Sequence, residues 1–343
     1  MLAAEYVAGR GIEVVDAEPR PPGPGEVQVQ VAYVGICGTD LHILQGHMDD
    51  RVGARGVIGH EMSGRVAVVG AGVTGWSVGD PVTVMPLRWC GACPTCAAGH
   101  QHICDRLDFV GIDSAGALQE RWTVSAELLV GLPPSLSLRS AALVEPVAVA
   151  VHDVGRARLS SSDRVVVVGG GPVGLLIAVV AADRGADVRV LEPEPFRRSV
   201  AAGLGLEVLD PAVPDLDDLL GEWTSGAGAS IALEVSGSQG GLDTAVGCLG
   251  ARGRLVVVGI HAQPRQVDLK RIFWKELEVL GARVYERSDV EEAVDLVARG
   301  TIPVDAMVSR TVPLEQAAAA FETLASGGPV LKVLVDCGVG HES

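Results

Sequence analysis

The sequence predicts an α/β protein of two parts, a β-rich first region followed by a doubly wound parallel sheet. Three observations point to this. Val27-Gln28-Val29-Gln30-Val31 alternates with the period of a half-buried strand, and glycine turns such as Gly23-Pro24-Gly25 and Gly70-Ala71-Gly72 recur around it. From about Asp163 the pattern changes to continuous β-branched runs separated by helical spacing. The chain has 343 residues and 48% hydrophobic content, which suits two domains with buried cores.

The elements of the second part follow in order. Residues 165–168 are four valines in a row, expected as a strand buried on both faces. A glycine turn follows, then a helix over 175–184 and a second strand over 186–191. Further buried strands are expected at 231–235 and 254–258. After about Glu286 come a helix (290–298), a proline-bearing strand, a helix (314–325) and a closing strand (330–335).

The net charge of −16 argues against a nucleic-acid surface, which needs a clustered basic face, and against docking on anionic lipid. The most apolar stretch, 164–182, is broken by Gly169, Gly170, Gly171 and Pro172 and reads as strand, turn and helix rather than a membrane span. No charged-then-apolar leader opens the sequence, so a cytoplasmic location is expected. A reducing compartment favours metal binding over disulfides for clustered cysteines.

Cys90, Cys93, Cys96 and Cys104 form such a cluster, C-x2-C-x2-C-x7-C. Four thiolates so close in sequence can surround one tetrahedral zinc, and Gly91, Pro94 and Gly99 supply the turns. The spacing differs from the usual iron–sulfur patterns. Four thiolates leave no open position, so the site reads as structural.

A second constellation lies upstream. Cys37-Gly38-Thr39-Asp40-Leu41-His42 is followed by Gly59-His60-Glu61. Cys, His and Glu are all competent zinc ligands, and three ligands with an open position make a Lewis-acid site. Cys37 or His60 alone would read as an ordinary buried side chain; their joint occurrence with the cysteine cluster carries the argument.

Gly169-Gly170-Gly171-Pro172-Val173-Gly174 matches G-x-G-x-x-G after a strand and before a helix. The glycines admit a pyrophosphate to the backbone, and the helix N-terminus favours its charge. Glu192 ends the next strand, where a carboxylate accepts hydrogen bonds from ribose hydroxyls and repels a 2′-phosphate. NAD is therefore favoured over NADP, with Arg197 and Arg198 as the opposing signal.

Taken together, Cys37-x-Thr39-Asp40-x-His42, Gly59-His60-Glu61, the four-cysteine lobe, Glu145-Pro146 and the glycine turn resemble the zinc-containing medium-chain dehydrogenase/reductase family, in its sorbitol, threonine and butanediol dehydrogenase branch. The resemblance runs nearly end to end. It implies a GroES-like catalytic domain (1–146), a Rossmann domain (147–285) and a C-terminal return to the catalytic domain (286–343). It implies two zinc ions per subunit and NAD. Cys37 and His60 are then expected as catalytic zinc ligands, with Glu61 and Glu145 both candidates for the third. Asp40 would orient the ligand histidine; alternatively it is a turn residue. Thr39 and His42 would form a proton relay. Val258 would lie by the nicotinamide, and Lys332 would reach the pyrophosphate or be a strand-edge lysine.

Glu145 is expected to complete or gate the catalytic site. No cysteine lies between Cys104 and Cys248, so the thiolate of liver-type relatives is missing from this segment. Ile43 and Val284 stand where sorbitol-type enzymes carry tyrosine and arginine, which leaves the small-molecule alcohol or polyol substrate open. A homodimer or homotetramer is expected. The same fold also serves two other classes, a zinc-stabilised binding protein without turnover and a zinc-free quinone or enoyl reductase; the retained set Cys37, Thr39, His60 and Glu145 argues against the first and the two metal sets against the second.

Overall fold

The computed structural model describes residues 1–338. They form two compact units: Met1–Glu145 with Glu286–Gly300 and the segment from Val308 onward, and Pro146–Tyr285 with Thr301–Met307.

The first unit is built around the strand Glu26–Gly35, the longest strand of its seven-stranded sheet. This strand pairs antiparallel with Glu61–Val69, Arg121–Ser125 and Lys332–Asp336. Val27, Val29 and Val31 are fully buried, as their alternation requires. The polar face is covered as well at Gln28, whose amide donates to the Arg20 carbonyl at 3.0 Å and accepts from Arg121 at 3.3 Å. A buried amide is tolerable there because its hydrogen bonds are made. Leu2–Val7, Gly11–Asp16 and Arg55–Val57 form a separate three-stranded sheet.

The second unit holds a six-stranded sheet in which every neighbouring pair is parallel. In chain order the strands run third, second, first, fourth, fifth, sixth, the order of a Rossmann fold. The valine run Arg164–Val168 is central, flanked by Asp187–Leu191 and Ala229–Glu234, so both its faces and both its edges are covered. The helix Pro172–Asp183 is apolar nearly all round because it too is buried.

The elements that the sequence reading did not name include the outermost strands Glu207–Leu209 and Glu278–Gly281, the helix Gly38–Leu44, and the helices Pro195–Gly203, Leu216–Trp223, Gln239–Cys248 and Leu269–Lys275 of the second unit. The two strands are short and hold no fully buried residue, so they carry no periodic apolar signal. Among the described residues, no helix is long and apolar enough to cross a membrane.

Candidate active site

The four-cysteine lobe is closed and local. The Sγ atoms of Cys93 and Cys104 lie 3.7 Å apart and those of Cys90 and Cys104 3.5 Å apart. Four thiolates about 2.3 Å from one zinc would stand about 3.8 Å from each other, so the spacing fits the ion. All four cysteines are free thiols. Backbone N–H groups of Ala92, Cys96 and Arg106 donate to Cys90, Cys93 and Cys104 respectively, and the Arg106 guanidinium also reaches Cys90. Such donors favour the thiolate. The Ala92 N–H is the largest influence holding Cys90 down at about 6. Burial and then the neighbouring thiols of Cys93 and Cys104 push Cys96 up to about 12.

The second cluster is assembled from distant segments. Cys37 ends the central strand region and precedes the helix Gly38–Leu44; His60 and Glu61 stand at the start of the strand Glu61–Val69. One ligand atom from each of Cys37, His60 and Glu61 lies within 4.8 Å of the others. Asp40 has both roles weighed for it. One oxygen accepts the Cys37 N–H at 2.9 Å, fixing the turn into the helix, and the other approaches His60 Nδ1 at 3.7 Å.

The electrostatics of this cluster ask for a cation. Asp40 and His60 are fully buried, and Asp40 Oδ1 and His60 Nδ1 have no hydrogen-bond partner. Burial disfavours the His60 imidazolium, yet Asp40, Cys37 and Glu145 outweigh it and hold the group well above its usual range. Burial pushes the Asp40 carboxyl up, although His60 and the Cys37 N–H oppose it. A divalent cation in front of Cys37, His60 and Glu61 would meet this surplus of negative charge, so the residues present fit a zinc ion.

Glu145 lies outside this tight group. It is buried in the first turn of the helix Val144–Arg156, and its charge is felt at both His60 and Lys332. Thr39 is half-buried two residues after Cys37. Burial and then His47, whose ring centroid is 5.8 Å away, pull His42 below its usual range, leaving a neutral imidazole able to accept a proton.

Lys332 departs from expectation. Its ammonium is not aimed from a strand edge toward solvent but is buried at 3% exposure. It donates to both Glu61 oxygens, at 2.6 and 2.8 Å, and to the Ile36 carbonyl at 3.1 Å. Burial lowers the affinity of Lys332 for its proton, but Glu61, Cys37 and Glu145 outweigh it and the net shift is upward. Sequence reading missed the pair because its members are 271 positions apart; the one available signal was a lysine flanked by apolar strand residues.

In the second unit the glycine turn is shaped by close approach. Gly169 has φ +112°, which L side chains rarely adopt. A Cβ on Gly174 would sit 1.9 Å from the Gly169 carbonyl oxygen, so the helix Pro172–Asp183 can start this near the strand only without a side chain there. Gly171 caps that helix and Pro172 and Val173 begin it, leaving the N-terminus suited to a pyrophosphate. Glu192 is buried; its Oε2 accepts the Gly170 N–H at 2.6 Å and its Oε1 the Glu194 N–H at 2.8 Å. Arg197 lies 3.9 Å from that same Oε2, so the two opposing selectivity signals of the sequence are neighbours and partly offset. The Val258 N–H is bonded to the Glu234 carbonyl. Glu234 itself was missed: fully buried, it accepts from Gly237 N and Ser236 Oγ and meets His261 Nε2 at 2.9 Å. It thereby ties together the loops at the C-terminal ends of two central strands, where doubly wound sheets bind ligands.

Comparison with known proteins agrees with this geometry. Residues 23–134 match the alcohol dehydrogenase GroES-like domain, and residues 172–299 match the zinc-binding dehydrogenase domain. The chain is 46% identical to 2-dehydro-3-deoxy-L-galactonate 5-dehydrogenase of Pseudoalteromonas atlantica, over 98% of this chain and 99% of that protein. It is 33% identical to sorbitol dehydrogenase of Halalkalibacterium halodurans, over 95% and 96%. Among solved structures, 2R,3R-butanediol dehydrogenase from Bacillus subtilis superposes with a TM-score of 0.90 at 30% identity, covering 98% of this chain and 99% of that one.

The chain belongs to the zinc-containing medium-chain dehydrogenase/reductase family. Within it, the protein is a zinc-dependent, NAD-linked alcohol dehydrogenase of the sorbitol and threonine dehydrogenase type.

Proposed function

We propose that the protein oxidises a secondary hydroxyl of a polyhydroxylated acid, a polyol that carries a carboxylate, with NAD as the preferred acceptor. The observation that carries this is the 46% identity over nearly the whole chain to an enzyme named for a deoxygalactonate. The departures Ile43 and Val284 from the sorbitol pattern argue against sorbitol itself.

In this reading Cys37, His60 and a glutamate, either Glu61 or Glu145, hold the catalytic zinc, and Cys90, Cys93, Cys96 and Cys104 hold the structural ion. When bound, zinc supplies Lewis-acid polarisation of the hydroxyl and NAD supplies a hydride acceptor. The chain's own residues do the rest. Asp40 fixes the His60 ring. Thr39 Oγ1 accepts the hydroxyl proton as it passes its own on toward the His42 imidazole, which releases it to solvent. Gly169, Gly171, Pro172, Val173 and Gly174 cradle the pyrophosphate. Glu192 accepts the ribose hydroxyls and Arg197 lies beside it, while Val258 borders the nicotinamide.

The same reading includes a second copy of the chain. Among the described residues, Ile260, Val267, Leu269, Phe273, Trp274 and Val279 are six of the eleven large apolar side chains left exposed, all within one short stretch. That stretch includes the edge strand Glu278–Gly281. An edge strand can be extended by its own copy about a two-fold axis, which would also cover these apolar side chains. Trp274→Glu should lower the oligomeric mass in sedimentation, and an unchanged mass would count against this face.

The substrate assignment is tested by NADH formation over a panel of sugar acids, neutral polyols and amino alcohols. A sugar acid should lead by about tenfold or more in kcat/KM, ~1.4 kcal/mol of discrimination. Equal use of neutral polyols would return the assignment to the broader class.

A further inference from the structure

We infer that Lys332 and Gly35 form a latch that holds the Glu61 carboxylate beside the metal pocket, so that Lys332 is a positioning residue that sets how readily Glu61 becomes a ligand. This rests on the reading of Cys37 and His60 as a metal site.

The latch is built across three adjacent strands. Glu26–Gly35 lies between Glu61–Val69 and Lys332–Asp336. In register, Gly35 faces Glu61 on one side and Leu334 on the other. The Glu61 side chain crosses over Gly35 to reach Lys332. A Cβ built on Gly35 would stand 2.2 Å from Glu61 Oε2 and 3.2 Å from its Cβ. The Gly35 backbone is not in the left-handed region. The position therefore needs the missing side chain, not conformational freedom: it is a slot cut for the carboxylate.

Lys332 closes the slot. An ammonium has three N–H donors, and all three are used here, one on each Glu61 oxygen and one on the Ile36 carbonyl. The Ile36 bond places the ammonium one residue from Cys37. Both charges are nearly fully buried, at 4% and 2% side-chain exposure, so each depends on the other. Yet a Glu61 oxygen also lies within 4.8 Å of the Cys37 and His60 ligand atoms. The carboxylate thus has two competing partners, Lys332 and whatever cation Cys37 and His60 hold. While Lys332 cancels its charge, the pocket keeps more positive potential for a substrate oxygen. Without Lys332, the cation is the nearest partner left for a buried carboxylate.

The experiment uses the full-length protein with cobalt(II) in the metal sites. Its visible absorption reports ligand number, and transfer to a chelator reports retention. Lys332→Met should weaken and shift the Cys37-dependent part of the spectrum, and should slow metal release about tenfold or more. Lys332→Met combined with Glu61→Gln should return both readouts to wild type, because the competing carboxylate is gone. Gly35→Ala keeps both charges but fills the slot, so it should shift the spectrum in the same direction; it carries the test if Lys332→Met does not fold. The latch is overturned if Lys332→Met or Gly35→Ala folds with a wild-type spectrum and release rate, or if the double variant stays as shifted as the single. If Cys37→Ser leaves the wild-type cobalt spectrum unchanged, the underlying metal assignment fails, and the latch with it. That outcome is distinct from a Cys37-dependent spectrum that ignores Lys332.

Discussion

The first unit contains two clusters of metal-ligating side chains that differ in almost every physical respect. The lobe of Cys90, Cys93, Cys96 and Cys104 draws its ligands from one short loop, and backbone N–H groups donate to the sulfurs. The cluster of Cys37, His60 and Glu61 draws on separated segments and mixes three donor types. Around it stand the buried charges Asp40, Glu145 and Lys332, whereas the guanidinium that reaches the lobe, Arg106, is exposed. One cluster is closed and self-contained. The other is strained electrostatically, with buried Asp40 Oδ1 and His60 Nδ1 3.7 Å apart and neither hydrogen-bonded. A metal in the first contributes to folding; a metal in the second leaves room for chemistry.

The contrast breaks most sharply under substitution. Cys37→Ser should lower kcat/KM by about a thousandfold or more, ~4 kcal/mol, while circular dichroism and melting stay near wild type. Cys93→Ser should do the reverse. It should cost more than about 4 kcal/mol of stability, read as lost yield and an early unfolding transition, while the folded remainder keeps its turnover. If both variants fail in the same way, the division of labour is wrong.

Smaller effects sharpen the picture. Glu145→Ala should reduce kcat by about ten- to a hundredfold with NAD affinity retained, since this buried carboxylate acts on the pocket's charge. Near-normal turnover would reduce it to a helix-start residue, worth ~0.3–1 kcal/mol of dipole stabilisation. Glu192→Gln should narrow the preference for NAD over NADP by about tenfold, because Arg197 then loses its neighbouring negative charge. Measured kcat/KM ratios that do not move would transfer the selectivity to other groups.

What the sequence made legible follows the same contrast. The lobe could be read from spacing alone because its ligands are neighbours in the chain. The Rossmann sheet was legible because strands buried on both faces leave unbroken valine runs, as in Arg164–Val168. The chemistry of Cys37 and His60 was legible only by joining two motifs, and its surroundings were not. Nothing local in Gly35 announces a slot for a carboxylate 26 residues away in sequence. Nothing local in Lys332 announces that its partner is Glu61 rather than a cofactor phosphate. Edge strands such as Glu278–Gly281 were illegible for the opposite reason: with little burial there is little pattern.

The most direct test of two unlike metal sites is staged metal removal from the active enzyme. Metal content, turnover and circular dichroism are followed together as a chelator is added. The account expects two zinc ions per chain. The first to leave should take turnover with it and spare the fold, and the second should leave only with unfolding. Fully active protein with one zinc or none, or loss of fold and turnover in a single step, would contradict it.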